Sequence, residues 1–172
     1  INASINNGNG QSSQLAKQFV AAFQKRNPEA QLVVRDVAAG EPVPHLDGER
    51  ITYVGPVDDA QKNDLLGRAR ALLMPILWDE PFGIVMAEAF ACGTPVIGFA
   101  RGSVPEVVRD GVNGFVVTTV DDAAGAVTRL AAIDRGAVRR DCEQRFSRDA
   151  IVTAYEHLYH EALGSRRHEA LG

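Results

Sequence analysis

Glu80 and Glu88 stand eight positions apart in the stretch Trp78-Asp79-Glu80-Pro81-Phe82-Gly83-Ile84-Val85-Met86-Ala87-Glu88-Ala89. Upstream, Ala71 to Pro75 reads as a short buried strand; downstream, Ile84 to Cys92 reads as a helix ended by Gly93. Glu80 then sits at the mouth of a loop. The N–H groups of Phe82, Gly83, Ile84 and Val85 point out of a helix N-terminus, which is a ready-made anion site. Glu88 lies about a turn and a half into the helix at ~3.6 residues per turn. One carboxylate can accept bonds from one ring of hydroxyls and the other from a second ring, with a phosphate between them. A nucleotide sugar has that shape. Two acids on one helix are also what a solvated face shows, so the spacing alone is a weak sign.

The surrounding motifs narrow it. Trp78 to Ala89, Cys92-Gly93-Thr94-Pro95-Val96-Ile97, Gly102-Ser103-Val104-Pro105-Glu106-Val107 and Asp110-Gly111-Val112-Asn113-Gly114-Phe115 together resemble the C-terminal nucleotide-sugar-binding domain of family 4, GT-B type retaining glycosyltransferases. The resemblance covers roughly Ile51 to Leu163. It implies that Glu80, with Phe82, Gly83 and Ile84, meets the donor sugar, and that Val85 and Glu88 meet the nucleotide, Glu88 through the ribose hydroxyls. In that family an Arg and a Lys from the first strand–helix unit stabilise the developing pyrophosphate charge, where most of the rate arises. Here no Arg or Lys precedes Lys17, and Lys17 falls inside the predicted helix.

Residues 1 to 49 differ in character from the rest. They hold five Asn and five Gln, against two of each afterwards, and two of the three lysines. They read strand (Ile1 to Ser4), polar loop (Asn6 to Gly10), helix (Ser12 or Ser13 as cap, to about Arg26) and strand (Gln31 to Asp36), with Leu15, Phe19, Ala22 and Phe23 on one helix face. Ala3-Ser4, Gln11-Ser12-Ser13-Gln14-Leu15, Arg35 to Ala39 and Pro42 to Glu49 resemble the opening of FMN-dependent azoreductases, which are flavodoxin-like. That resemblance implies FMN-phosphate contacts from Ser4, Gly10, Gln11 and Ser12, although Gly10 stands where a hydroxyl is common. The bland reading of the loop is an ordinary capped helix start. The residues that sandwich a flavin ring in that family have no counterparts here.

A chimera with a seam near 49–51 follows: a flavodoxin-like βαβ segment, 1–49, joined to a glycosyltransferase-like segment, 50–163, with a polar tail from 164 to 172. The expected function is that of a recombined, engineered scaffold without catalytic activity, keeping half of a nucleotide-sugar site and half of an FMN-phosphate site; a natural gene fusion is the other origin. The alternatives are a glycosyltransferase nucleotide-sugar-binding domain that needs a partner domain, the acceptor-binding domain being absent, and an FMN-binding flavodoxin-like protein. Fold by itself decides none of these.

At 172 residues and 45% apolar, the chain is long enough for one well-buried core. A net charge of −4 gives no field for nucleic acid. Hydrophobic runs are too short to span a membrane, and a cytoplasmic location is expected. Cys92 and Cys142 have no metal-ligand spacing with the histidines; Cys92, beside the Gly-Thr-Pro turn, is expected to be buried. Arg135, Arg139, Arg140, Arg145 and Arg148 read as solvated helix faces.

After the seam the elements are a strand from Ile51 to Val54, a helix from the cap Asp58 to Ala69, the Ala71 strand, the Glu80 loop and helix, and a strand from Pro95 to Phe99. A short helix near Val104 to Arg109, a strand at Phe115 to Val117, and helices over 121–130, 135–145 and 150–163 follow. Strands alternating with helices imply one α/β domain over 1–172: a doubly wound parallel sheet of about six strands with helices on both faces, Rossmann- or flavodoxin-like. The expected strand order is 3-2-1-4-5-6, with the flavodoxin-like 2-1-3-4-5 as the alternative. The first order puts the Ser12 and Glu80 loops in one crevice between strands one and four.

Overall fold

The computed structural model describes residues 18, 21, 22, 25, 32–34, 51–54, 57–76 and 78–169. Gln18, Ala21, Ala22 and Lys25 are helical, inside the span expected for the first helix. The strand expected at 1–4 lies outside the described residues, and so does the crevice expected beside it.

Strands β1 (Leu32–Val34) and β2 (Ile51–Tyr53) pair in parallel, Leu32 opposite Ile51 and Val34 opposite Tyr53. This pairing separates the two expected orders. Counted with the expected strand at 1–4 as the first, these are the second and third strands, which are neighbours in 3-2-1-4-5-6 and not in 2-1-3-4-5. The remaining strands, β3 (Leu72–Met74), β4 (Val96–Phe99) and β5 (Gly114–Val117), form a parallel sheet in the order β3-β4-β5, as 3-2-1-4-5-6 requires. All four residues of β4 are buried, the pattern of a central parallel strand covered on both faces.

The helices start where the sequence supplies caps. Helix α1 (Asp59–Arg68) opens on a capping box: Asp58 Oδ1 accepts from Gln61 N at 2.8 Å and the Gln61 side chain accepts from Asp58 N at 3.0 Å. Helix α2 (Ile84–Ala91) follows the Glu80 loop and buries Met86, Ala89 and Phe90; truncating a side chain such as that of Phe90 costs about 3–5 kcal/mol. A short helix α3 (Val104–Val107) follows β4. Helix α4 (Val120–Arg129) opens on a second box, Thr119 with Asp122, and packs on β4 and β5. Helix α5 (Arg135–Phe146) packs on α2. Helix α6 (Arg148–Glu169) touches α5 and continues past Gly164, where the polar tail was expected to begin. Its Tyr155, Leu158, Tyr159 and Leu163 are exposed.

Two of the arginines expected on solvated faces point inward. Arg135, at the start of α5, donates to the carbonyls of Ala69 and of Gly67 (2.8 Å) and to Thr94 Oγ1 at 2.7 Å. It thereby satisfies carbonyls that the end of α1 leaves free, at the negative end of that helix dipole. Arg145 donates to the carbonyls of Val107 (3.0 Å) and Glu106 (2.8 Å) and to Asp141 Oδ2 at 3.1 Å. Both were misread because their acceptors are main-chain carbonyls far away in sequence, which no local charge pattern reveals. Arg139 and Arg140, paired with Glu143 and Asp134, are exposed as expected. Cys92 is half-buried rather than buried; Cys142 is the buried thiol, and burial pushes its pKa up.

Asp141, 7% exposed, collects Arg109, Arg145 and the fully buried Asn113, whose amide donates to Asp141 Oδ2 at 2.8 Å. Burial acts to raise this carboxyl, and the hydrogen bonds from Arg109, Asn113 and Arg145 outweigh it, holding it below the ordinary range. Its contribution to stability is therefore complete above the unfolded value of about 4 and is lost as the pH falls through the lower folded value. Asp141→Ala should cost about 3 kcal/mol in a urea melt, because Asn113 and Arg145 are left without their acceptor. Asp141→Asn should flatten the fall in the urea midpoint of the wild type on acidification below about pH 4.

Candidate functional site

Because β3 and β4 are parallel and in register (Leu72 opposite Val96, Met74 opposite Gly98), the loops that leave their C-terminal ends emerge side by side. The first carries Trp78, Asp79 and Glu80; the second carries Arg101, Gly102 and Ser103. They are tied directly, Ser103 N donating to the Glu80 carbonyl at 2.9 Å and Gly102 N to Asp79 Oδ1 at 3.3 Å. Strand ends of this kind are where ligands sit in open α/β sheets.

The Glu80 carboxylate is held by neutral donors on both oxygens. Trp78 Nε1 donates to Oε2 at 3.0 Å and Gly83 N to Oε1 at 3.2 Å. Each oxygen keeps further lone-pair capacity for a ligand hydroxyl, and Glu80 is half-buried. Gly83 is the N-cap of α2 in the left-handed region, φ 69° and ψ 66°, with no side-chain cap. That conformation suits glycine, and it breaks the chain between loop and helix where the sequence suggested. Of the N–H groups expected to meet an anion, that of Gly83 is used by Glu80. Those of Ile84 and Val85 have no acceptor among the described residues.

The other expected site residues are placed less uniformly. Phe82 is exposed and its ring meets Phe146 of α5 edge-on, centroids 5.8 Å apart; Arg145, bonded to Asp141, stacks over the same Phe146 at 4.6 Å. The loop is thus fastened to the buried Asp141 network. Ile84 is 70% exposed. Val85 is half-buried and leans on the core. Glu88, on the next turn of α2, is bound by Lys62 of α1, Nζ to Oε1 at 2.6 Å. Ser4, Gly10, Gln11 and Ser12, expected to hold an FMN phosphate, lie outside the described residues.

Three contributors escaped the sequence reading. Trp78 stands in the motif, two residues before Glu80, but its indole was not assigned a role. Gly102 was noted only as part of a matching segment; a Cβ there would lie 2.4 Å from Glu80 N and 2.5 Å from Glu80 O. Lys62 is the single lysine after residue 49, and that isolation was its only signal.

A parallel sheet with two adjacent loops at its C-terminal edge, one of them opening an uncapped helix, defines a Rossmann-like α/β fold. More particularly, the chain belongs to the family Glycosyl transferases group 1, which it matches over residues 14–146. It is 32% identical over 120 residues to the D-inositol 3-phosphate glycosyltransferase of Mycobacterium tuberculosis H37Rv, covering 69% of this chain and 25% of that one. Among solved structures it resembles Anabaena Alr3699/HepE in complex with UDP-glucose, with a TM-score of 0.66 and 25% identity over 87% of this chain and 44% of that chain. It also resembles AviGT4, a glycosyltransferase involved in avilamycin A biosynthesis, with a TM-score of 0.66 and 27% identity over 86% of this chain and 47% of that chain. The chain spans about a quarter of the length of the curated relatives it matches. The family match extends across residues 49–51 and back to residue 14, so it lends no support to a change of parent at a seam there. Among the described residues no helix is long and apolar enough to cross a membrane.

Gly102 and Gly111 provide a matched test of the loop contact. Both have positive φ, 49° and 75°, but a Cβ at Gly111 meets nothing within 4 Å. Gly111→Ala should cost only the backbone strain, about 1–2 kcal/mol. Gly102→Ala adds the clash with Glu80, for a total of about 2–4 kcal/mol. It should also shift the emission of Trp78, the only tryptophan, while Gly111→Ala leaves it unchanged.

Proposed function

We propose that this chain is the nucleotide-sugar-binding part of a retaining group 1 glycosyltransferase, acting together with an acceptor-binding domain, and that residues 1–172 form one Rossmann-like unit. Glu80 accepts hydroxyls of the donor sugar. The N–H groups of Ile84 and Val85, with the positive end of the α2 dipole, receive a donor phosphate. Glu88 accepts the ribose hydroxyls. The observation that carries this reading is the Glu80 carboxylate, fixed by Trp78 and Gly83 beside an uncapped helix N-terminus. The family membership and the likeness to a glycosyltransferase solved with UDP-glucose support it.

The roles follow from the chemistry. A sugar leaving with retention develops charge on the diphosphate, and donors already aimed at that position stabilise it without reorganisation. A carboxylate beside the sugar orients its hydroxyls and hence the anomeric carbon.

Calorimetric titration of the chain with UDP and with UDP-glucose tests the assignment, Trp78 emission giving a second readout. UDP-glucose should bind more tightly than UDP. Glu80→Gln should remove that increment, about tenfold for the loss of hydrogen bonds to a charged acceptor, and leave UDP affinity unchanged. Glu88→Gln should weaken both ligands alike. Binding of neither UDP, GDP nor ADP and their glucose conjugates at millimolar concentration would reject the proposal.

A further inference from the structure

Lys62 ties α1 to Glu88 of the candidate site. Its ammonium lies 2.6 Å from Glu88 Oε1 and 3.0 Å from Asp59 Oδ1. The Lys62 side chain is 18% exposed and that of Glu88 29%, whereas Asp59 is 94% exposed. The Asp59 contact is screened by water and worth little; the Glu88 contact is the sheltered one. The hydrogen bonds that Lys62 donates to Glu88, and then to Asp59, raise its pKa, so the cation persists at neutral pH.

The other fasteners of α1 run from Asn63, whose carbonyl meets Cys92 Sγ at 3.9 Å, to its C-terminal end. Leu66 is buried in the core, Thr94 Oγ1 bonds the Leu66 carbonyl, and Arg135 bonds the carbonyls of Gly67 and Ala69. The N-terminal turn has its own capping box. Holding a long lysine side chain in one geometry costs about 2 kcal/mol of rotamer entropy, and α1 is already anchored without it.

Its consequence for Glu88 is specific. A carboxylate presents two oxygens with about four acceptor positions. Lys62 occupies Oε1, and Oε2 has no partner among the described residues. The carboxylate is therefore fixed in rotation about its last bond, one oxygen toward α1 and the other free for a ligand. We infer that Lys62 is a positioning residue for nucleotide recognition, orienting Glu88 so that its free oxygen accepts the vicinal hydroxyls of a ribose. This rests on the ribose role proposed for Glu88 above.

The experiment compares UDP with its 2′,3′-dideoxy analogue, which lacks both hydroxyls, by calorimetry on the wild-type chain, Lys62→Met, Lys62→Arg, Glu88→Gln and the Lys62→Met/Glu88→Gln double variant. Circular dichroism melts accompany each. The wild type should prefer UDP by about tenfold or more. Lys62→Met should lose most of that preference with the dideoxy affinity unchanged, and Lys62→Arg should restore most of it. In the Glu88→Gln background Lys62→Met should add nothing. If Lys62→Met weakens both nucleotides equally, or keeps the full preference, Lys62 is only a strap between helices and the inference is overturned. Should Lys62→Met melt below the titration temperature, Lys62→Gln replaces it, with the same outcomes. A wild type that prefers UDP, loses the preference in Glu88→Gln and keeps it in every Lys62 variant overturns this inference alone. A wild type that binds neither nucleotide overturns the ribose role and this inference with it.

Discussion

The parallel register of Leu72–Met74 against Val96–Gly98 is the constraint on which the rest of the candidate site depends. Parallel strands send their following loops out at one edge, and a register slip would turn every side chain of a strand to the opposite face. Here the slip is prevented by burial: Leu72, Met74, Val96, Ile97 and Phe99 are all in the core. With the strands locked, the Asp79–Glu80 and Gly102–Ser103 segments have no choice but to lie together. Their mutual hydrogen bonds fix the Glu80 backbone, and Trp78 Nε1 and Gly83 N then hold its carboxylate. The carboxylate is thus placed by strands that contribute no atom to it.

A second layer of polar fastening holds the helices around that edge. Arg135 ties the end of α1 to the turn at Thr94, which separates α2 from β4. Asp141 ties α5 to the segment between α3 and β5 through Arg109 and Asn113, and holds Arg145 of its own helix. A buried ionic group of this kind adds less stability than an apolar core of equal volume would. What it supplies is direction: each hydrogen bond has one satisfying geometry. Phe146, between Arg145 and Phe82, carries that direction to the Glu80 loop.

Much of this was legible in the sequence because it depends on local rules. Asp58 announces the start of α1, the apolar run from Pro95 to Phe99 announces a strand, and Gly93 ends α2. The Glu80 loop was read with its N-terminal donors because loop and helix adjoin in sequence. The misreadings share a different cause. Arg135 and Arg145 reach carbonyls on remote segments, and Lys62 reaches Glu88 across 26 positions. Nothing in the residues around an arginine tells whether its acceptor is water or a carbonyl delivered by another helix. Composition misled in a related way. The Asn- and Gln-rich opening suggested a second parent, yet the family match extends back to residue 14.

The two glutamates, alike in the sequence, differ in their electrostatics. Glu80 is held by an indole and a backbone N–H, so its charge is oriented but not neutralised, and it lies near the positive end of the α2 dipole. Glu88 is further along the same helix, where the dipole no longer helps, and is matched instead by the Lys62 ammonium. A diphosphate brought between two bare carboxylates would meet repulsion from both sides. With one carboxylate compensated by a cation and the other by a helix end, that repulsion is reduced on each side by a different means. In the proposed reading, this lets the site accept hydroxyls through its carboxylates and still admit an anion between them, on a chain whose net charge is −4.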